Sequence, residues 1–167
     1  DLSATAQAEA LAAGKLDFGL IGFAHEADGA RLEKMKIGAC DFVAALPAGH
    51  AATRKAKLSL ARLANDLFFT ISEQTYPGAA AFMRDACARA GFRPRVLQTA
   101  ERGHTILGLV AGHCGVALLP EPLRALPHPG VVFRPLAEPV HADLYLAWKP
   151  GADSEVLRGF REASVAS

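Results

Sequence analysis

What this chain of 167 residues has little of already narrows its role. It holds one Trp, two Tyr, two Met and three Cys. Eighteen Lys and Arg meet seventeen Asp and Glu, so its net charge is +1. A near-neutral balance excludes a module that binds nucleic acid through bulk charge. No apolar run reaches the roughly 18 residues that a membrane helix needs, so no membrane partner is expected. The opening Asp1-Leu2-Ser3-Ala4-Thr5 has no Met and neither the basic nor the apolar stretch of a signal peptide. The expectation is a cytoplasmic piece of a longer protein.

Metal and nucleophile patterns are missing as well. Cys40, Cys87 and Cys114 are far apart and odd in number, with no CxxC or CxxxH spacing. They are expected to be small buried side chains in a reducing compartment. Cys114 follows His113, but sequence neighbours on one element point in different directions, so no Cys–His pair is expected. The six His (25, 50, 104, 113, 128 and 141) are scattered, with no HExxH and no i, i+4 pair. There is no GxSxG elbow. Gly112-His113-Cys114-Gly115 is not a phosphate loop and reads as a helix stop. No cofactor, metal or catalytic constellation is called for.

What is present is a soluble-protein composition, 51% hydrophobic and 21% charged, with alternating helical and strand periods. Residues 3–13 read as a helix capped by Ser3 or Thr5 and stopped at Gly14. A strand over 16–23 follows, then a polar loop from His25 to Lys36 and a strand over 39–46. A short helix is expected over 58–63, capped by Ser59, and a strand over 67–71. Pro77 suits the first turn of a helix that Gly91 stops. A strand over 94–99, a helix over 103–112 and strands over 116–119, 131–134 and 142–148 come next. A last helix over 153–163 would take Asp153 as its cap. Short apolar strands alternating with helices imply an α/β fold with a mainly parallel sheet.

In such a sheet the ligand sits at the carboxyl ends of the strands. Three ends run into polar segments: Phe23-Ala24-His25, Ser72-Glu73-Gln74-Thr75 and Ala100-Glu101-Arg102-Gly103. Helix N-termini there favour an anionic group. Ser72 and Thr75 suit either ligand contact or capping of the helix from Pro77. Glu101 and His104 are the positions that a small α/β enzyme would use as a base.

The stretch Gln7-Ala8-Glu9-Ala10-Leu11 through Gly14-Lys15-Leu16-Asp17-Phe18-Gly19-Leu20 resembles the QxEALxxGxLDxGL run of LysR-type transcriptional regulators. Phe42–His50, Leu58–Ala64 and Leu107–Pro120 are similar to that family's later motifs, in the same order across nearly the whole chain. The resemblance implies two Rossmann-like lobes like type 2 periplasmic binding proteins. Lobe I would be residues 1–40 and 136–167, and lobe II residues 41–135. It implies a small organic effector in a cleft between the lobes, a homo-oligomer (dimer or tetramer), and DNA contact only through a helix-turn-helix preceding this chain. The cleft would be lined by Ser72, Glu73, Gln74, Thr75, Glu101, Arg102, Gly22 and Phe23, with Thr5 near the start of the first helix. Members that sense aromatic-pathway acids carry Arg where Gly22 stands, and Thr where Ala4 stands beside Thr5. Placed on the family pattern, lobe I starts late and is incomplete, which would leave an unpaired sheet edge that invites association. A solute-binding protein of a transport system is the alternative of similar architecture.

Overall fold

The computed structural model describes residues 2–22, 32–126, 128–152 and 154–165. The chain divides into two compact units. The first comprises Asp1–Ala39, Gln74–Gly78 and Asp143–Ser167, and the second Cys40–Glu73 and Ala79–Ala142.

The first unit opens with helix α1 (Ala4–Ala12). Ser3 caps it as expected: its hydroxyl accepts from the Ala6 N–H at 3.1 Å. Gly14, at φ +68, turns the chain out of the helix. Strand β1 (Gly19–Gly22) follows and pairs antiparallel with β7 (His141–Trp148), Gly19 opposite Ala147 and Gly22 opposite Leu144. Leu11 of α1 packs on Ile21 and Ala147 on one face of this pair. On the other face Leu146 and Trp148 pack with Leu157 of α4 (Glu155–Val165), joined by Phe18, Met35 and Ile37. The Phe18 and Phe160 rings lie 4.9 Å apart.

One side chain ties α1 to β1. Gln7 accepts from the Leu20 N–H at 3.0 Å and donates to the Leu2 carbonyl at 3.2 Å. The tie needs Gly19, where a Cβ would stand 2.7 Å from the Gln7 carbonyl oxygen.

Strand β2 (Glu33–Pro47) starts in the first unit and ends in the second. In the second unit it pairs antiparallel with β5 (Val116–Pro120) and β6 (Val131–Pro135). Strand β3 (Leu67–Ile71) lies parallel to β5 and to β4 (Arg95–Ala100). Helix α2 (Ala79–Arg89) leads from β3 to β4, and α3 (Gly103–Ala111) from β4 to β5. Ile106, Leu107 and Val110 of α3 close a core with Ala45, Phe69, Ala117 and Leu119. Gly115 permits the close approach of β5 to β3: a Cβ there would stand 2.5 Å from the Leu67 carbonyl.

Several sequence expectations are corrected. The sheet is mixed rather than mainly parallel. Strand β2 pairs antiparallel with both β5 and β6, and β1 with β7, while β3 pairs parallel with β4 and β5. Glu33–Lys36 is strand, not loop, because Met35 and Ile37 alternate inward between lysines. The element expected at 58–63 is a 3₁₀ turn over Leu60–Leu63, and Leu58 instead bridges to Leu136. Helix α2 starts at Ala79, two residues after Pro77, and it buries Ala79, Met83, Ala86 and Cys87. Phe23, His25 and the proposed cap Asp153 lie outside the described residues. At α4 the Ser154 hydroxyl accepts from the Leu157 N–H at 3.1 Å.

Candidate effector site

The parallel pairing of β3 with β4 sets Ile71 opposite Ala100. One residue further on, the Ser72 N–H donates to the Ala100 carbonyl at 2.9 Å. The segments Ser72-Glu73 and Glu101-Arg102 therefore leave the same edge of the second unit side by side. This is the carboxyl edge of its parallel strands, where helices α2 and α3 begin.

The two helix starts differ. At α2 the Glu73 carboxylate accepts from the Ala80 N–H at 2.6 Å. At α3 the N-cap is Arg102, in extended backbone, with no side-chain cap bond. Gly103 starts that helix against Leu123, whose Cδ1 lies 2.6 Å from where a Cβ would stand. Glu101, Arg102 and His104 are exposed.

Gln74 and Thr75 group with the first unit. The Thr5 hydroxyl donates to the Gln74 carbonyl at 2.7 Å, and the Thr5 N–H to the Thr75 carbonyl at 3.5 Å. Thr5 is thus brought together with two of the other expected site residues. Among the described residues, no atom lies within 4 Å of where a Cβ of Gly22, the last residue of β1, would stand, and Gly22 takes part in none of these bonds. Phe23 is outside the described residues.

Sequence reasoning missed the bond between Glu73 and α2. A capping box places its acid three residues after the cap, whereas this carboxylate reaches forward seven residues across the loop. No spacing rule announces that. Among the described residues, no three His, Cys, Asp or Glu side chains gather to hold a metal ion. No helix among them is long and apolar enough to cross a membrane.

Residues 2–167 match the family model described as the LysR substrate binding domain. The chain belongs to the LysR substrate-binding domain family. Relatives of this family include the HTH-type transcriptional regulator AlsR of Bacillus subtilis (strain 168). It is 24% identical over 161 residues, covering 96% of this chain and 53% of AlsR. The Hca operon transcriptional activator HcaR of Escherichia coli (strain K12) is 28% identical over 161 residues, 95% of this chain and 53% of HcaR. The chain spans about half the length of these curated relatives. Both are transcriptional regulators rather than enzymes. Among solved structures, the BenM effector-binding domain with its effector benzoate superposes with a TM-score of 0.82 at 20% identity. That match covers 99% of this chain and 75% of the BenM chain, and it establishes the α/β fold of LysR effector-binding domains.

Proposed function

We propose that this chain is the ligand-sensing part of a LysR-type transcriptional regulator. It binds a small organic effector at the strand ends that carry Ser72, Glu73, Gln74 and Thr75 beside Glu101 and Arg102. Thr5, Gly22 and Phe23 are the first unit's contributions. The observation that carries the reading is the bond from the Ser72 N–H to the Ala100 carbonyl, which sets the two polar segments next to each other. The carboxyl ends of parallel strands are where α/β folds take their ligands.

The effector acts by binding one state of the regulator better than another and shifting their populations. An inter-lobe cleft, the lobe boundaries given by the sequence, a cytoplasmic location and a homo-oligomer belong to the same proposal. DNA contact would be made by a helix-turn-helix outside this chain. An acidic group on the effector would face the uncapped start of α3 and Arg102. Gly22, in place of an Arg, argues against the aromatic-pathway acids as the natural effector.

A thermal-shift screen with organic acids, amides and amines tests the reading. A saturable rise in Tm with at least one class is expected. Flat melting curves with every class, on folded protein, would count against an effector site.

A further inference from the structure

Residues 42–65 hold no Asp or Glu, and within them lie Arg54, Lys55, Lys57 and Arg62. All four cations are exposed. Among the described residues, none of the four forms an ion pair. The backbone that carries them is fixed to the second unit. The 3₁₀ turn over Ala51–Arg54 buries Ala52, and the one over Leu60–Leu63 buries Leu60 and Leu63. Leu58, between the turns, is fully buried. Its N–H donates to the Pro135 carbonyl and its carbonyl accepts from the Ala137 N–H, each at 2.9 Å.

A fifth cation is bonded to the first of these turns. Arg134 of β6 donates through Nε and Nη2 to the Thr53 carbonyl, at 2.9 and 2.6 Å. Through Nη1 it donates to the Phe133 carbonyl at 2.9 Å. Carbonyls hold this guanidinium in place without cancelling its charge. Two acids border the stretch, and both are turned to the protein. Asp66 pairs with His50 at 3.2 Å, and Glu138 accepts from the Leu60 N–H at 3.4 Å.

Such a cluster attracts a polyanion. Its side chains say of which kind. Ala56 and Ala61 are the exposed apolar residues among the four cations, while Leu58, Leu60 and Leu63 face inward. A protein partner needs apolar or aromatic anchors, and no large apolar side chain is exposed in this stretch. Contacts to the phosphate backbone need only cations and polar groups.

We propose that this basic stretch of the second unit is a DNA-backbone contact: Arg54, Lys55, Lys57 and Arg62 bind phosphates of duplex DNA without reading sequence. This goes beyond the proposed function and rests on it only for the nearness of DNA. The near-neutral charge of the whole chain excludes attraction by bulk charge, not by a local cluster. A helix-turn-helix outside this chain would hold the duplex close. Tethering then raises the local concentration, so a contact that is weak alone becomes effective. Each phosphate neutralised releases counterions, so the contact weakens as salt rises.

Fluorescence anisotropy of a labelled random-sequence duplex, titrated with this chain, tests the proposal. At about 50 mM NaCl the expected Kd is about 1–100 µM, the range of non-specific contacts. Four engaged phosphates give a slope of about −3.5 in log K against log salt. The double variant Lys55→Glu, Lys57→Glu should weaken binding by about tenfold or more and flatten that slope. Its Tm should stay within about a degree, since both side chains are exposed. Arg62→Gln, which reverses no charge, should weaken binding several-fold. Arg134 is left intact because it holds the Thr53 carbonyl. Poly-glutamate should compete less well than unlabelled duplex. Its charges lie about 3.5 Å apart along an extended chain, against about 1.7 Å along the duplex axis.

No rise in anisotropy at low salt overturns the proposal. Variants that bind the duplex like the wild type overturn it too, since the contact then lies elsewhere. Poly-glutamate competing as well as duplex would assign the stretch to an acidic protein instead. The effector screen separates this proposal from the reading it extends. A thermal shift with an effector but no duplex binding fails the DNA contact alone. A flat screen beside salt-dependent duplex binding that the variants lose fails the effector site alone.

Discussion

At the scale of single residues, chemistry follows burial rather than residue type. The three cysteines share one expectation, yet Cys87 is fully buried, Cys40 half-buried and Cys114 exposed. Burial pushes the Cys87 thiol up to about 11, from an ordinary 9.0. Below pH 9 both the folded and the unfolded chain keep this thiol neutral. Between pH 9 and about 11 the unfolded chain ionises and the folded one does not, so stability falls as pH rises through that window. Denaturant unfolding at pH 8 and pH 10.5, on wild type and on Cys87→Ala, measures the effect. The loss of stability between the two pH values is expected to be smaller in the variant. Equal losses would show that the thiol is not shielded. The burial of Cys87 agrees with the general burial habit of Cys, and in the fold it shares a buried face of α2 with Met83. The exposure of Cys114 does not, because it depends on how the chain leaves α3. His113 takes φ +61 there, a left-handed conformation that is uncommon outside Gly, even though His adopts it more often than most side chains.

At the scale of elements, strong periods were readable and long strands were not. Strand β3 runs over Leu67–Ile71 as expected, since Phe68, Phe69, Thr70 and Ile71 are all β-prone and the run is short and apolar. Strand β2 was half missed. Its second half is continuously buried and reads plainly. Its first half, Glu33 to Ala39, turns one side outward and looks polar by composition. Two side-chain pairings across to β7 give that polar half a function. Lys36 and Asp143 form an ion pair at 2.7 Å, which holds the Lys36 ammonium above its ordinary range. The Trp148 indole N–H donates to the Glu33 carboxylate at 2.7 Å. Trp148 is only 4% exposed, so this bond satisfies a donor shielded from water. Glu33→Ala is expected to cost about 1–2 kcal/mol by removing the bond between this buried donor and the acid. Trp148 is the one tryptophan, so thermal unfolding followed by its fluorescence reads both the loss of stability and the changed surroundings of the ring. An unchanged Tm and emission maximum would show that the bond contributes nothing.

At the scale of the whole molecule, the near-zero charge from which the sequence reading started conceals a division. The second unit carries eleven Lys and Arg against seven Asp and Glu, and the first carries seven against ten. This could not be read along the chain, because the first unit is gathered from three separate stretches. Opposite net charges on two units of one chain favour association of one copy's basic unit with another's acidic unit. The open edges are only partly available for strand pairing. At β1 the Leu20 N–H is taken by Gln7. At β4 the register shifts opposite Phe68 and Phe69, an irregularity of the kind that discourages edge-to-edge extension. What β4 offers instead is apolar side chain, with Val96 and Leu97 about half exposed and Arg93 and Arg95 just before them. If a homo-oligomer forms through this mixed surface, both its charge and its apolar contact must matter. Sedimentation velocity at about 50 mM and about 500 mM NaCl, ionic strengths at which screening goes from weak to strong, should show the dissociation constant rising several-fold with salt. Val96→Glu should weaken association at both salt concentrations, since it puts a charge into the apolar part of the contact, while leaving Tm within about a degree because Val96 is exposed. Association that ignores both salt and Val96→Glu would place the interface elsewhere on the chain.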